Sequence, residues 1–320
     1  MSRNRDSLKH QIRVKVLDGI TDNDSKKAYR RSADSFAEWA KGQNIKDLSQ
    51  VSKDVIQAYE RYLEERPEGY SPSTIHAKLT APCKAAGVTM SEIQKPKRTA
   101  GQIKRGRSET MTKRGEKELD NPKYERLVSL QKCVGIRRAE LAKLTGGDLI
   151  TDGKQLYIMV HRGKGGKDQL QWILPEDRET VLRIFENVGD HERVFSGEEM
   201  GNHINLHKMR SDCAKKAYAY YADNLKKPEL RDRMRQALLR RWEDGHRQLL
   251  AENPKHYEAS RRKFIQDMND RPILLRGENR AKAVSLGLPV LYDRLCVMCV
   301  SVYHLSHWRN DVSIINYFTQ

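Results

Sequence analysis

Cysteine is scarce in this chain of 320 residues: Cys83, Cys133, Cys213, Cys296 and Cys299, an odd number. A long chain with so few thiols is not held by a disulfide framework. Cys296 and Cys299 form a C-x-x-C inside the apolar run LCVMCVSV, with no second pair; because a structural zinc wants four ligands, buried structural thiols are the expectation. Long apolar runs are missing as well. Mean hydropathy is -0.81, no stretch has the unbroken apolar length of a membrane span, and the opening MSRNRDSLKHQIRVKVLDGI carries charges without the apolar centre of a secretory signal. A cytoplasmic protein with no membrane partner is expected. No internal repeat is present.

Acidic residues are in deficit, 43 Asp and Glu against 60 Lys and Arg, giving a net charge of +17 and a pI near 9.6. That is the electrostatic footprint of a nucleic-acid binder, although an anionic membrane or an acidic protein would satisfy the same charge. A nucleotide phosphate loop is also lacking. GKGGK at 163–167 fails the G-x-x-x-x-G-K-[ST] pattern, since His161 stands five residues before Gly166 and Asp168 follows Lys167. The glycines instead suit a tight turn that projects lysines.

What is present is mostly helical, in a length that suits two domains. Residues 25–40 place Tyr29, Ala33, Phe36, Ala37 and Ala40 at helical spacing. A second amphipathic helix runs through SKDVIQAYERYLEE with Val55, Tyr59, Tyr62 and Leu63 on one face, and a third starts at Ser71 as cap with Pro72 in its first turn and continues through Ile75 and Leu79. Residues 1–94 thus read as a small helical domain. Residues 95–109 read as a basic linker: KPKRTAGQIKRGR holds six basic residues, Lys95, Lys97, Arg98, Lys104, Arg105 and Arg107, and no acidic one, and such a segment could lie along a phosphate backbone. Residues 110–320 form the second domain, with a helix around NPKYERLVSLQKCVG, another from Arg137 to Leu144, and two strands, QLYIMV and QLQWIL, joined as a hairpin by HRGKGGKD. From residue 176 onward the pattern is nearly all helical. The fold class expected is mainly α with a small β-hairpin or sheet.

Four separated pieces then fall into an order. They are GIRRAEL at 135–141, the hairpin RGKGGKD, LHKMR at 206–210, and LSHWRNDVSIINY near the end. Together they resemble the tyrosine recombinases, the phage-integrase family, over roughly residues 110–320, and the N-terminal helical part is similar in type to that family's core-binding domain. The resemblance implies catalytic roles for Arg137, Lys164, His207, Arg210, His307 and Tyr317, with Glu140 orienting an arginine. It also implies double-stranded DNA as substrate, a homo-tetramer on DNA, an accessory DNA-bending factor as a further partner, and no cofactor. Ser306 stands where the family usually has Gly, and Met209 where it usually has Leu. Arg210 and His307 are 97 residues apart, much farther than in compact members, and this spacing resembles integrases and transposases of bacterial mobile elements. In a competing register Arg294 would pair with His307, but Leu291 then takes the histidine position.

These residue types suit cleavage of a phosphodiester without metal. Two guanidiniums can each donate paired hydrogen bonds to the non-bridging oxygens of a five-coordinate transition state. A phenol must lose its proton as it attacks, and a cationic cluster helps it ionise. The 5′ oxygen leaves poorly as an alkoxide, so a lysine on a hairpin can protonate it. The product would be a 3′-phosphotyrosyl bond, resealed by a 5′ hydroxyl. A type IB topoisomerase would use similar residues to relax DNA, and a regulator that no longer cleaves would share the charge. Only three residues follow Tyr317, so subunit contacts are expected elsewhere, with a helical insert at 226–280 and its stripe of Met234, Leu238, Leu239 and Trp242 as the candidate.

Overall fold

Short polar side chains at the helix starts set the boundaries. In the computed structural model, which describes residues 7–67, 69–97, 111–161, 163 and 168–319, the chain forms two compact units, Met1–Lys104 and Arg105–Gln320.

The first unit is helical: α1 (Leu8–Leu17), α2 (Asn23–Gly42), α3 (Lys53–Glu64) and α4 (Pro72–Ala86). The Asp22, Ser52 and Ser71 side chains accept from the Ser25, Val55 and Thr74 amides, at 2.7, 3.4 and 3.2 Å, so each satisfies one of the amides that a helix start leaves unpaired. Pro72 occupies the first turn of α4 as expected, and Gly87 ends it with φ +71°. Phe36 and Tyr59 meet edge to face with centroids 5.1 Å apart, and the Tyr59 hydroxyl donates to Ser35 at 2.8 Å. The buried stripe of α3 is Ile56, Tyr59, Glu60 and Leu63. Tyr62, assigned to that face from spacing, is instead exposed. Helix α1 was not anticipated, because basic residues separate its buried Leu8, Ile12 and Val16.

The second unit begins with α5 (Lys113–Leu119), α6 (Glu125–Val134) and α7 (Arg138–Leu141). Helix α7 is half the length the sequence suggested. Beyond Leu141 the backbone is taken up elsewhere: the Val194 amide donates to the Leu144 carbonyl at 2.9 Å, Thr145 pairs with Arg193, and the Asp148 carboxylate accepts from the Thr145 amide at 2.7 Å. A three-stranded antiparallel sheet follows, β1 (Leu149–Asp152), β2 (Gln155–Val160) and β3 (Gln169–Trp172), in that order. The expected hairpin is β2–β3, with Val160 opposite Gln169 and Tyr157 opposite Trp172. The additional strand β1 joins β2 through an Asp-Gly turn in which Gly153 has φ +56°.

Helices α8 (Arg178–Phe185), α9 (Gly197–Met200), α10 (Leu206–Asn224), α11 (Pro228–Gly245), α12 (Arg247–Glu252) and α13 (Pro254–Gln266) come next. Then follow β4 (Ile273–Leu274), α14 (Gly277–Ser285), β5 (Leu291–Tyr292), α15 (Arg294–Tyr303), α16 (Asn310–Ser313) and a π-helical turn at Ile314–Phe318. Mainly helical with a small antiparallel sheet, the molecule has the fold class expected. Two apolar clusters fill this unit. One gathers α6, α7, the sheet and α8; the other gathers the insert helices, α15 and the C-terminal turn. Helix α10 belongs to both, Leu206 and Met209 packing in the first and Ala214, Ala217 and Tyr221 in the second.

The insert's apolar stripe is part of its own unit's core. Leu238 and Trp242 are buried, with Met234 and Leu239 packed beside them, and Trp242 stacks on Phe264 with centroids 5.7 Å apart. Burying each such side chain stabilises by about 1.5–3 kcal/mol, so this stripe is spent within the chain and is not a free surface for subunit contacts. Cys296 and Cys299 are buried free thiols, and burial pushes Cys296 up to about 12.

Candidate active site

Gly135 ends α6 with φ +57°, and a Cβ there would stand 3.0 Å from the Cys213 Cβ and 3.1 Å from the Arg210 Cα. Left-handed backbone and close approach both favour glycine here, and the close approach brings the end of α6 against α10. Two residues on, Arg137 caps α7. Its amide and guanidinium donate to the two Glu140 carboxylate oxygens, at 3.1 and 2.7 Å. The adjacent Arg138 turns away and donates to the Met200 and Ile204 carbonyls and to Asn202 Oδ1, at 3.0, 2.7 and 2.9 Å, a structural tie.

Helix α10 starts at an Asn205 cap and carries His207, exposed, in its first turn. One turn later Arg210 is 1 % exposed. Its guanidinium donates to the Gly135 carbonyl, to the Leu305 carbonyl at 2.9 Å, and through Nε to the Tyr317 hydroxyl at 3.3 Å. Burial holds Arg210 below its usual value and Arg137 adds to that, while Tyr317 and Glu140 oppose it; a guanidinium stays charged regardless.

His307 follows α15, and its amide donates to the Ser301 carbonyl at 2.9 Å. Ser306 and Trp308 on either side have φ of +53° and +56°. A left-handed backbone at 306 is the reason a glycine suits that position. His307 Nε2 lies 3.2 Å from the Tyr317 hydroxyl, and the His207 ring lies 5.6 Å from the Tyr317 ring. Tyr317 is buried in the π-helical turn, a rare form that is frequent at functional sites. Residues this near a chain end are usually loose, but here the turn is held down. The Ser211 hydroxyl donates to the Tyr317 carbonyl, Phe318 stacks on Tyr292 with centroids 5.5 Å apart, and the Tyr292 hydroxyl donates to the Phe318 carbonyl at 3.3 Å.

Five of the six candidate residues, Arg137, His207, Arg210, His307 and Tyr317, therefore converge from elements separated by up to 180 residues of sequence. Lys164 lies outside the described residues, as do Arg98, Lys104, Arg105 and Arg107. Of the other linker candidates, Lys95 folds back onto the Met90 and Ile93 carbonyls, and Lys97 is exposed. Arg294 is engaged elsewhere, donating to the Arg271 carbonyl at 3.1 Å.

Two residues near the site were not among the candidates picked from the sequence as site residues. His304 is buried with Nε2 3.2 Å from the Tyr221 hydroxyl, and burial, helped by Arg241 and Arg210, pushes it down to about 3. Arg241 of the insert lies 4.8 Å over the Tyr303 ring and donates to the Leu170 carbonyl of β3. Among the described residues no group of three or more His, Cys, Asp or Glu could hold a metal.

No protein-family model matches the chain, and no curated protein matches it. A crystal structure of XerA recombinase is one similar solved structure, at 17% identity, covering 65% of this chain and 82% of that one with a TM-score of 0.23. A likeness of that size decides neither fold nor chemistry, which rest on the residues themselves. Among the described residues, no helix is long and apolar enough to cross a membrane.

Proposed function

We propose that this chain is a tyrosine-type DNA strand transferase, a site-specific recombinase that breaks and rejoins double-stranded DNA through a 3′-phosphotyrosyl intermediate. The observation that carries the reading is the Tyr317 hydroxyl held by Arg210 at 3.3 Å and by His307 at 3.2 Å, with His207 alongside. A phenol positioned beside a guanidinium and two imidazoles is the arrangement a phosphoryl-transfer nucleophile needs.

In this reading the scissile phosphate enters beside Arg137 and Arg210. The described partners of Arg210 account for three of its five N–H groups, so a phosphate oxygen can be gripped while the Gly135 and Leu305 carbonyls keep the guanidinium in plane. A phosphate oxygen that replaces the hydroxyl on Nε frees the phenol to attack. The Tyr317 oxygen bonds to phosphorus as its proton passes to His307, whose Nε2 lies 3.2 Å from the hydroxyl. The bond from phosphorus to the 5′ oxygen breaks, and Lys164 gives that oxygen a proton, with His207 bonding a phosphate oxygen. Glu140 fixes the Arg137 fork. In the reverse sense a 5′ hydroxyl attacks the phosphotyrosine and restores the backbone, with no cofactor consumed. Pairing of two duplexes by a tetramer, with integration, excision or transposition of a mobile element as the outcome, completes the proposal.

The test uses a pool of nicked duplexes of randomised sequence, in which cleavage releases a short fragment and traps the intermediate. The native chain should yield a denaturant-resistant protein-DNA adduct, and Tyr317→Phe should bind the pool yet yield none. Absence of any adduct from the native chain on this pool would count against strand transfer and favour a binding protein.

A further inference from the structure

A cleft of about 850 Å³ opens next to the candidate site, and the insert forms one side of it. Arg137, Ser306 and Trp308 line the catalytic side, Gly163 and Gln169 the hairpin side, and Arg240 of α11 the insert side. Two residues of these walls, Gln169 and Ser306, each carry a buried side-chain atom, Nε2 and Oγ, with no hydrogen-bond partner among the described residues, and Gln169 is only 8% exposed. A buried donor left unpaired costs about 1–3 kcal/mol, so two on one cleft signal a missing acceptor-rich ligand.

The charge points the same way. Arg240 is exposed and makes no ion pair among the described residues. The cleft's carboxylates are answered locally: Asp244 pairs with Arg247, and Asp168 Oδ2 lies 3.5 Å from His161 Nδ1. The insert is also tied to the hairpin, since Arg241 donates to the Leu170 carbonyl beside Gln169.

We infer that this cleft binds the sugar-phosphate backbone of a DNA strand next to the scissile phosphate, and that the insert supplies its outer wall through Arg240. Gln169 and Ser306 donate to phosphate oxygens, and the Trp308 indole offers a face to a base or sugar. The choice of DNA as ligand rests on the strand-transfer reading. The 97-residue separation of Arg210 and His307 then has a use within one chain, as a second wall to the active site.

The experiment titrates the full chain with the tetranucleotide (dT)4 and with its uncharged methylphosphonate analogue, following tryptophan fluorescence, with Trp308→Phe identifying the source of the signal. The native chain should bind (dT)4 saturably and the analogue at least tenfold more weakly. Arg240→Glu, a surface change, should weaken (dT)4 at least tenfold. Gln169→Glu, nearly the same shape, should do likewise while its thermal melt shows it folded. No saturable change with (dT)4, equal binding of the analogue, unaltered binding by Arg240→Glu, or preference for an acidic peptide would each overturn the inference. If adducts on Tyr317 form while Arg240→Glu binds (dT)4 normally, the cleft assignment falls and strand transfer stands. Should discrimination at the cleft survive without any adduct, strand transfer falls and the strand-binding site remains.

Discussion

Replacing Arg210 by alanine should unfold the second unit more readily as well as abolish cleavage, and the two effects can be separated. The guanidinium joins three segments that meet nowhere else in sequence: Gly135 after α6, Leu305 after α15, and Tyr317 in the last turn. Without it, two carbonyls lose their charged partner in the interior, and the Tyr317 hydroxyl keeps His307. Each unsatisfied buried group costs about 1–3 kcal/mol, and the void left by a side chain 1 % exposed adds to that. Relief from burying a charge offsets part of the sum. A net loss of about 3 kcal/mol is expected, which in a unit spanning Arg105–Gln320 lowers Tm by about 6–12 °C. Arg137 provides the contrast, because its described ion pair is with Glu140 at a side-chain exposure of 23%. Arg137→Ala should lose adduct formation equally; it leaves the buried Glu140 carboxylate with the residue-137 amide as its described partner, a cost of about 1–3 kcal/mol. Calorimetry of the full chain, with the second unit's transition assigned by segment-resolved hydrogen exchange, reads both. A Tm for Arg210→Ala within about 2 °C of the native chain would refute the reasoning.

Lys164→Ala should fail on an ordinary nicked duplex and recover on one whose scissile bond carries a 5′-phosphorothiolate, because a sulfur leaving group needs little protonation; equal defects on both would remove Lys164 from the acid role. The two units should respond to pH in opposite senses. Burial, with Glu64 adding to it, pushes Glu60 from 4.5 to about 7. The folded first unit therefore holds a proton the unfolded chain releases, and its stability falls as pH rises from 4.5 through 7, by at most about 3 kcal/mol. Glu60→Gln should flatten that profile. His304 is displaced from 6.5 to about 3, so the second unit keeps its full stability above about pH 6.5 and loses it as pH falls toward 3, and His304→Asn should reduce this loss in denaturant titrations across that range.

Much of this was legible in the residues, for identifiable reasons. Ser71 followed by Pro72 marked the start of α4 because capping is local chemistry. The Gly-rich turn between two short strand-like runs marked β2 and β3 for the same reason. Arg137, His207, Arg210, His307 and Tyr317 could be picked out by their order and were found together in space. What the sequence did not reveal depended on distant partners. Helix α7 stops early because residues 193 and 194 pair with the chain beyond it. The insert's apolar stripe looked available for other subunits because amphipathic spacing does not say which core it meets; Trp242 meets Phe264 and Tyr257 of its own unit. The positive φ at Ser306 was hidden because the residue there is not glycine.

Mapping the covalent bond itself tests the strand-transfer reading most directly. Adduct trapped on the nicked duplex pool would be digested with nuclease and protease, and the peptide carrying the residual nucleotide sequenced by mass spectrometry. The account expects the added mass on Tyr317, joined through a 3′ phosphate and absent from Tyr317→Phe. A nucleotide found on Tyr303, on a serine, or on any residue other than Tyr317 would contradict it.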